Sequence, residues 1–409
     1  MLTVRWLILA VYISIGPILV FAHSLGAGSA FSGLFITGST AALLLCGRLS
    51  DFRIDLCDLL YAVLLCCIGV SFFLNGFAER KEMALLCLSL AAYPAGRLFP
   101  GDGRIASSFL VFTGLVVAAG ALFTAIALID QWSAPHGKPL VFGEFDAAPA
   151  QFTASFGFLA IALLSTKLPF SRAIIAAALS VPAAIFAASM VRFSFVALAA
   201  TLLVVAFIST GMDRRRAVAF LFVIFAGAAV GIAARADTTI KFARHVIVGL
   251  GPMTEPLLSP LVTRAQAAQT VPSASVVTIC PDFDHDNSVS IRKQLYADAV
   301  RLMPAAGVFG IGMDRFMASS CVKGTEVHNT VVQAAIEFGW VAAAVLVCLG
   351  LTAAMSILPL AGRDLEAKFV LCSLLFIGTL SMAYGRISQD ALLFLFFGYA
   401  VNLRRQGSR

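Results

Sequence analysis

Polar side chains recur every four residues along one apolar stretch near the end of the chain. In VHNTVVQAAIEFGW, Asn329, Gln333 and Glu337 share this spacing, which places them on one face of a helix. If lipid surrounds that helix, a carboxylate two turns below its start must face protein or a water-filled cavity. His328 lies at the top of the stripe. A histidine at the membrane boundary is more often simply exposed to water, but the polar stripe beneath it favours a catalytic role.

Two arginines lie where an anion could reach them. Arg192 interrupts two apolar stretches in AASMVRFSFVAL, and Arg292 lies in SVSIRKQLYADAVRLMP, whose apolar spacing predicts a helix. Tyr296 follows Arg292 by one turn, and Arg301 lies further along the same segment. The alternatives are that Arg192 only extends towards the lipid surface, and that the helix lies on the membrane or on a helical bundle with its arginines in water.

Two cysteines differ from the other seven. Cys280 and Cys321 fall in one long polar segment, whereas the rest lie in or beside apolar stretches, where a thiol behaves as a small apolar group. A disulfide between them is possible in an oxidising compartment. The sequence leaves the pairing open, because it does not give the distance between their Cα atoms.

One acidic run resembles a calcium-binding loop but lacks two of its requirements. DFDHDNS has aspartates at alternate positions, yet Asn287 stands where the sharp turn needs glycine and Lys293 where a bidentate glutamate is needed. We therefore expect no metal site in this chain.

The elements that position these residues must be membrane helices. Of 409 residues, 60% are hydrophobic and 12% are charged, with a mean hydropathy of +0.94. One soluble core cannot hide that much apolar surface. Apolar stretches long enough to cross about 30 Å of hydrocarbon recur from end to end. The sequence thus predicts an all-α polytopic membrane protein of about twelve transmembrane helices. The predicted spans lie near residues 5–22, 29–47, 56–75, 82–99, 106–129, 150–166, 170–189, 193–211, 216–234, 329–358, 366–384 and 388–403.

The distribution of Lys and Arg sets the expected orientation. Alternate short loops are rich in positive charge, which is retained in the cytoplasm, so both termini are expected there. The predicted divisions are transmembrane helices 1–9 in residues 1–234, a large periplasmic loop with short helices in 235–327, and transmembrane helices 10–12 in 328–409. This topology explains the net charge of +7 without a nucleic-acid partner.

The order of the polar motifs resembles the O-antigen ligase and O-antigen polymerase family. Ser290 and Arg292 begin the first motif, and Pro304 begins a P-x-x-G-x-F-G-x-G turn. His328 with Asn329 precedes an E-x-G sequence, and SMVRFSFVALAA resembles the family's earlier arginine motif, although Met190 and Val191 separate Ser189 from Arg192. These motifs cover about residues 189–205 and 288–345.

The resemblance implies a glycosyltransferase of the bacterial inner (cytoplasmic) membrane, with its active site at the periplasmic face. The donor would be a polyprenyl-diphosphate-linked saccharide, with no cofactor and no metal. The acceptor would be lipid A core in O-antigen ligation, or a further glycan unit in polymerisation of O-antigen or exopolysaccharide. Protein O-glycosylation is a third possibility. The lipid bilayer, and possible other polysaccharide assembly proteins, would be its partners.

The chemistry of this reaction assigns expected roles to the residues. Arg192 and Arg292 can hold a diphosphate with paired hydrogen bonds while staying protonated. His328, as a neutral imidazole, can remove the proton of an acceptor hydroxyl or position that hydroxyl. The expected substrate-binding or supporting residues are Asn329, Gln333, Glu337, Tyr296 and Arg301.

A multi-pass transporter or flippase of lipid-linked saccharides is the alternative from another class. Transporters usually bind their substrates near the bilayer midplane and often consist of two similar halves. In this chain the charged residues gather at the expected outer face and no half-to-half repeat is seen. The sequence therefore favours the transferase.

Overall fold

The computed structural model describes residues 2–47, 53–76, 79–132, 138–166, 171–241, 244, 280, 281, 283 and 288–406. Within these residues the chain is helical and has no β-strand, which confirms the all-α prediction. Residues 282 and 284–287 of the acidic run DFDHDNS and much of the predicted loop 235–327 lie outside the described residues.

Helices follow one another along the whole described chain. The first ten are α1 (Leu2–Ile13), α2 (Ile15–Ser24), α3 (Ser29–Leu45), α4 (Leu56–Asn75), α5 (Arg80–Leu98), α6 (Ser107–Asp130), α7 (Ala148–Leu164), α8 (Arg172–Ala188), α9 (Phe193–Ile208) and α10 (Gly211–Ala234). The later ones are α11 (Ser288–Ala306), α12 (Arg315–Ser319), α13 (Thr330–Glu337), α14 (Trp340–Ala361), α15 (Leu365–Tyr384) and α16 (Ala391–Gln406), with a 3₁₀ turn at Ile387–Gln389.

Five of these helices are long and apolar enough to cross a membrane, namely α4, α6, α10, α14 and α15. The bent pair α1 and α2 raises the number to six if it forms one span, and five further apolar helices of 10–17 residues are shorter. A membrane protein is thus confirmed, whereas the number of twelve spans stays a prediction.

Two of the predicted spans are broken. The first is bent by 67° at Ser14, between α1 and α2. The tenth, expected as one helix over 329–358, ends at Glu337 and restarts at Trp340. Gly339 makes this second break possible, because its φ of +95° lies in the left-handed region that other residues rarely adopt.

The glycine-rich turn before α12 caps the broken end of α13. The amides of Ile311 and Gly312 donate to the carbonyls of Ile336 and Glu337 over 2.8 and 3.0 Å. These last carbonyls of a helix have no partner within it, so the turn satisfies them. A Cβ on Gly339 would lie 1.9 Å from the carbonyl oxygen of Val308, which shows how closely the two backbones approach.

A small apolar cluster fixes α11 against α13. Leu295 and Ala299 of α11 are buried with Phe316, Val327 and Ile336. Burying apolar area of this kind stabilises the contact by about 25 cal/mol per Å². The amphipathic helix predicted around Arg292 therefore rests on the bundle beside the segment that carries His328.

Candidate active site

One cavity of about 810 Å³ brings several polar motifs together. Arg292, His328 and Arg386 line it, as do Met190 and Val191 from the turn between α8 and α9. Other polar groups also line it, among them Lys138, Asp146, Gln151 and Gln389. Its remaining wall is largely apolar and includes Ile13, Ile15, Pro17, Leu85, Leu88, Ile377, Leu380 and Leu392. Basic, acidic, uncharged polar and apolar side chains thus line one space.

The guanidinium group of Arg292 is held by two aromatic rings. Its central carbon lies 4.4 Å from the ring centre of Phe193 and 5.4 Å from that of Tyr384. The two rings meet edge to face with their centres 5.3 Å apart. Cation–π contacts of this kind orient a guanidinium without neutralising its charge, so Arg292 stays available to an anion.

Arg192 lies next to this cavity but is not among the described residues that line it. It is half-buried at the start of α9, and its Nη2 lies 3.8 Å from Sδ of Met190. Burial lowers the pKa of Arg192, while the nearby Tyr384 raises it. Met190 itself has a φ of +67°, a strained conformation for a residue with a side chain. The two arginines predicted to act together therefore share the neighbourhood of Tyr384, with Arg292 alone in the cavity wall.

His328 lines the cavity in a left-handed backbone conformation. Its φ is +54°, and the residue is half-buried. Burial lowers the pKa of His328, and the positive charges of Arg292 and Arg386 lower it further. Since histidine ordinarily titrates near pH 6.5, the imidazole is neutral at neutral pH and can accept a proton.

The polar stripe below His328 makes hydrogen bonds within the protein and does not line the cavity. Asn329 caps α13, because its Oδ1 accepts from the amides of Val331 and Val332 over 3.1 and 3.0 Å. Gln333 donates to Oε2 of Glu337 over 3.0 Å. Both are buried, and none of the three stripe residues lines the cavity.

Tyr296 and Arg301 also lie outside the cavity wall. The hydroxyl of Tyr296 accepts from Nδ2 of Asn329 over 3.3 Å, which links α11 to the start of α13. Arg301 pairs with Asp298 over 3.0 Å. The direct substrate contacts expected of these residues stay a prediction; in the structure they brace the segments that carry Arg292 and His328.

Cys280 and Cys321 form a disulfide, with their Cα atoms 5.5 Å apart. The amide of Cys321 donates to Oδ2 of Asp298 on α11 over 2.7 Å. The bond therefore fastens the segment before α11 to the segment after α12.

Sequence reasoning missed Arg386 as the centre of a buried ionic network. From their spacing of four residues, the sequence predicts a pair between Arg386 and Asp390, and the structure contradicts this prediction. Arg386 instead contacts Glu82, Asp314 and Glu326 over 3.4, 3.5 and 3.3 Å. These partners come from distant parts of the chain, so local spacing carries no signal of them.

Three carboxylates of the described residues lie close enough together to offer oxygens to one metal ion. They belong to Asp314, Glu326 and Glu337, and one oxygen of each lies within 4.8 Å of the others. Burial raises the pKa of Glu326 to about 7, although Arg386 lowers it, and burial raises the pKa of Asp314. Arg386 already contacts two of the three, so cationic compensation is built into the fold.

Comparison with known proteins finds a match for part of the chain that contributes to this site. Residues 175–347 match the family described as O-antigen ligase. The match spans Arg192, Arg292 and His328, although these residues are far apart in the chain. No curated protein and no solved structure matches the chain.

Proposed function

We propose that this membrane protein, whose residues 175–347 match the family described as O-antigen ligase, transfers a saccharide from a polyprenyl diphosphate to an acceptor hydroxyl. The observation that carries the proposal is the presence of Arg292 and His328 in the wall of one cavity. One residue supplies a lasting positive charge and the other a neutral base. The two groups match the needs of a reaction with an anionic leaving group and a hydroxyl nucleophile.

The leaving group accounts for Arg292. As the bond between the anomeric carbon and the diphosphate oxygen breaks, negative charge grows on the leaving oxygens. A guanidinium can hold two of these oxygens through parallel hydrogen bonds and stays protonated throughout. The aromatic contacts with Phe193 and Tyr384 hold the group in place before the donor arrives. Arg192, which is close enough to Tyr384 to interact with it, adds positive potential.

The nucleophile accounts for His328. The acceptor hydroxyl forms a bond to the anomeric carbon and loses its proton to the imidazole, while polyprenyl diphosphate leaves with the electron pair of the broken bond. A lowered pKa keeps the imidazole free to take that proton at neutral pH. One direct displacement of this kind inverts the anomeric configuration.

The shape of the cavity fits a donor with an apolar tail. Charged and uncharged polar side chains line the cavity together with apolar side chains from α1, α2, α5 and α15. An isoprenoid chain can contact the apolar side chains while its diphosphate faces Arg292. In our proposal this site opens to the periplasmic face of the inner membrane, with residues 235–327 forming the loop above it.

Purified protein in lipid nanodiscs tests the proposal. The sample is incubated with a polyprenyl-diphosphate-linked saccharide and a glycan or lipid A core acceptor. We expect release of polyprenyl diphosphate together with an equal amount of glycosylated acceptor. A transporter or flippase would move the donor without cleaving it, so intact donor throughout the time course would refute the transferase.

Ligation and polymerisation differ in the acceptor and can be separated in cells. If the protein is a ligase, deletion of its gene leaves lipid A core uncapped and lets long lipid-linked chains accumulate. If the protein is a polymerase, deletion of its gene leaves products with a single repeat unit. Surface polysaccharide from the deletion strain, separated by gel electrophoresis, decides between the two acceptors, and unchanged surface polysaccharide points to a protein acceptor.

A further inference from the structure

Arg386 joins three separate parts of the chain beside the cavity. Its guanidinium contacts Glu82 on α5, Asp314 before α12 and Glu326 in the segment that leads to His328. All three carboxylates are more than nine-tenths buried, and Arg386 itself is largely buried but reaches the cavity wall. Separating one of these parts from Arg386 would leave a buried charge without its partner, so the contacts oppose movement of the parts that they join.

Further hydrogen bonds join the segment that carries His328 to the end of α15 and its connection to α16. The amide of Ile387 donates to Oε1 of Gln333 over 3.0 Å, and Thr330 donates to Oδ2 of Asp390. Asn329 donates to the carbonyl of Met382 over 3.2 Å. The connection between α15 and α16 is therefore bonded to residues on both sides of His328, with Arg386 bound to the residue two positions before it.

The backbone of His328 needs such support. A residue with a side chain at a φ of +54° is strained, and a strained conformation persists only where its surroundings impose it. Relaxation of this turn would move the imidazole relative to the cavity. The contacts on both sides of His328 supply the constraint, and Arg386 supplies its charged part.

We propose that Arg386 is a positioning residue for His328, holding the strained turn so that the imidazole faces the reacting groups in the cavity. This inference rests on the proposed function for its catalytic meaning. The positioning itself is a property of the protein without substrate. Arg386 acts on the reaction through His328, while Arg292 acts on the diphosphate.

A second effect of Arg386 follows from its charge. The charged groups that face His328 are Arg292 on α11 and Arg386 in the connection between α15 and α16, and both favour the neutral imidazole. Removal of the positive charge at 386 therefore raises the pKa of His328. Loss of a structural residue elsewhere does not raise the pKa of His328. A change in this pKa therefore separates an effect on His328 from a general contribution to the fold.

Carbethoxylation of His328 measures both effects without any substrate. Diethyl pyrocarbonate reacts with the neutral imidazole, and mass spectrometry follows the modification of His328 between pH 5 and 8. The midpoint, the pH at which the modification rate is half its maximum, gives the pKa of His328. The limiting rate at high pH depends on the position and accessibility of the neutral imidazole. For Arg386→Met we expect the midpoint to rise and the limiting rate to change at least about threefold. For Arg386→Lys, which keeps the charge, we expect the rate to change and the midpoint to stay.

Arg97 offers a matched control. It is another buried arginine, paired with Asp58 over 3.2 Å, but it does not line the cavity. Arg97→Met should lower thermal stability and leave both readouts for His328 unchanged. Wild-type values of both readouts in Arg386→Met, or equal changes in Arg97→Met, would overturn the proposal. If Arg386→Met does not fold, Glu326→Gln takes its place. We expect the limiting rate of His328 modification to change in Glu326→Gln. A wild-type rate would contradict the positioning role of Arg386.

The transfer assay adds a kinetic readout. Arg386→Met should lower kcat at least about tenfold with little change in the KM for the lipid-linked donor, because the base is displaced and the diphosphate ligand is kept. A rise in KM alone would instead assign Arg386 to donor binding and contradict positioning. If the wild type shows no transfer, the proposed function fails, while the carbethoxylation result still judges the positioning.

Discussion

The guanidinium carbon of Arg292 lies 4.4 Å from the ring centre of Phe193, the residue that follows Arg192. This contact joins two motifs that are a hundred residues apart in the chain. It also explains how a helix from the long polar segment reaches the cavity at the turn between α8 and α9. The contact is the structural basis for the donor site proposed above.

We predict that Arg292→Lys loses almost as much transfer activity as Arg292→Ala. A lysine can neither stack its planar group on Phe193 and Tyr384 nor offer two parallel hydrogen bonds, so the leaving diphosphate loses charge-assisted contacts. The expected decrease in kcat/KM is about 10- to 100-fold. Lys293→Arg, which changes an exposed residue on the same helix outside the cavity wall, is the control and should keep near wild-type activity. Full activity of Arg292→Lys would remove Arg292 from the mechanism.

Arg192 is predicted to behave in the same way if its geometry, and not only its charge, serves the diphosphate. Arg192→Lys should then fail nearly as badly as Arg192→Ala in the transfer assay. A fully active lysine variant would reduce Arg192 to an anchor at the membrane surface. The comparison matters because the structure places Arg192 beside the cavity wall.

The transfer rate should depend on pH through His328. Burial and two neighbouring arginines lower the pKa of this imidazole, so the neutral base persists to more acidic pH than an ordinary histidine would allow. We expect kcat to be constant around neutral pH and to decrease only below about pH 6.5, as the base becomes protonated. His328→Ala should lower kcat by about 100-fold or more and remove this acidic limb. If kcat of His328→Ala still decreased at acidic pH, that decrease would belong to a group other than His328.

The disulfide between Cys280 and Cys321 should stabilise the segment that carries Arg292. Removal of one such cross-link costs roughly 2–4 kcal/mol of unfolding free energy in soluble domains. The double variant Cys280→Ser, Cys321→Ser should therefore unfold at a lower temperature in detergent, as should the reduced wild type. Cys348→Ser changes an exposed free cysteine and is the control. Equal melting temperatures for all these samples would contradict the stabilising role.

Gly339→Ala should damage folding more than a glycine substitution in open space. At Gly339 a Cβ meets the Val308 carbonyl in addition to an unfavourable φ of +95°. Gly324 has a φ of +71°, and a Cβ added there would have no described atom within 4 Å, so Gly324→Ala measures the backbone strain alone. The yield of folded protein on size-exclusion chromatography should be lower for Gly339→Ala, and equal yields would show that the broken helix tolerates the methyl group.

Helical patterns predicted much of this architecture because they are local. Repeated apolar stretches indicated an all-α membrane protein, and the spacing around Leu295 and Ala299 indicated the face by which α11 packs. The break at Gly339 was not predicted, because Phe338 and Trp340 on either side are apolar and continue the pattern of a spanning helix.

The candidate site shows the same division between local and distant information. Arg292 and His328 could be selected from residue type and position. The role of Arg386 could not, because its three carboxylate partners are 304, 72 and 60 residues away in the sequence. Ionic networks of this kind depend on tertiary packing, and a single sequence does not reveal which distant helices meet.

A structure of the protein with bound polyprenyl diphosphate, determined by cryo-electron microscopy in nanodiscs, tests the central claim most directly. We expect the diphosphate to lie in the cavity within hydrogen-bond distance of Arg292, with His328 facing the position of the transferred sugar. A diphosphate bound elsewhere on the bundle, with Arg292 still stacked on Phe193 and free of phosphate contacts, would contradict the proposed donor site.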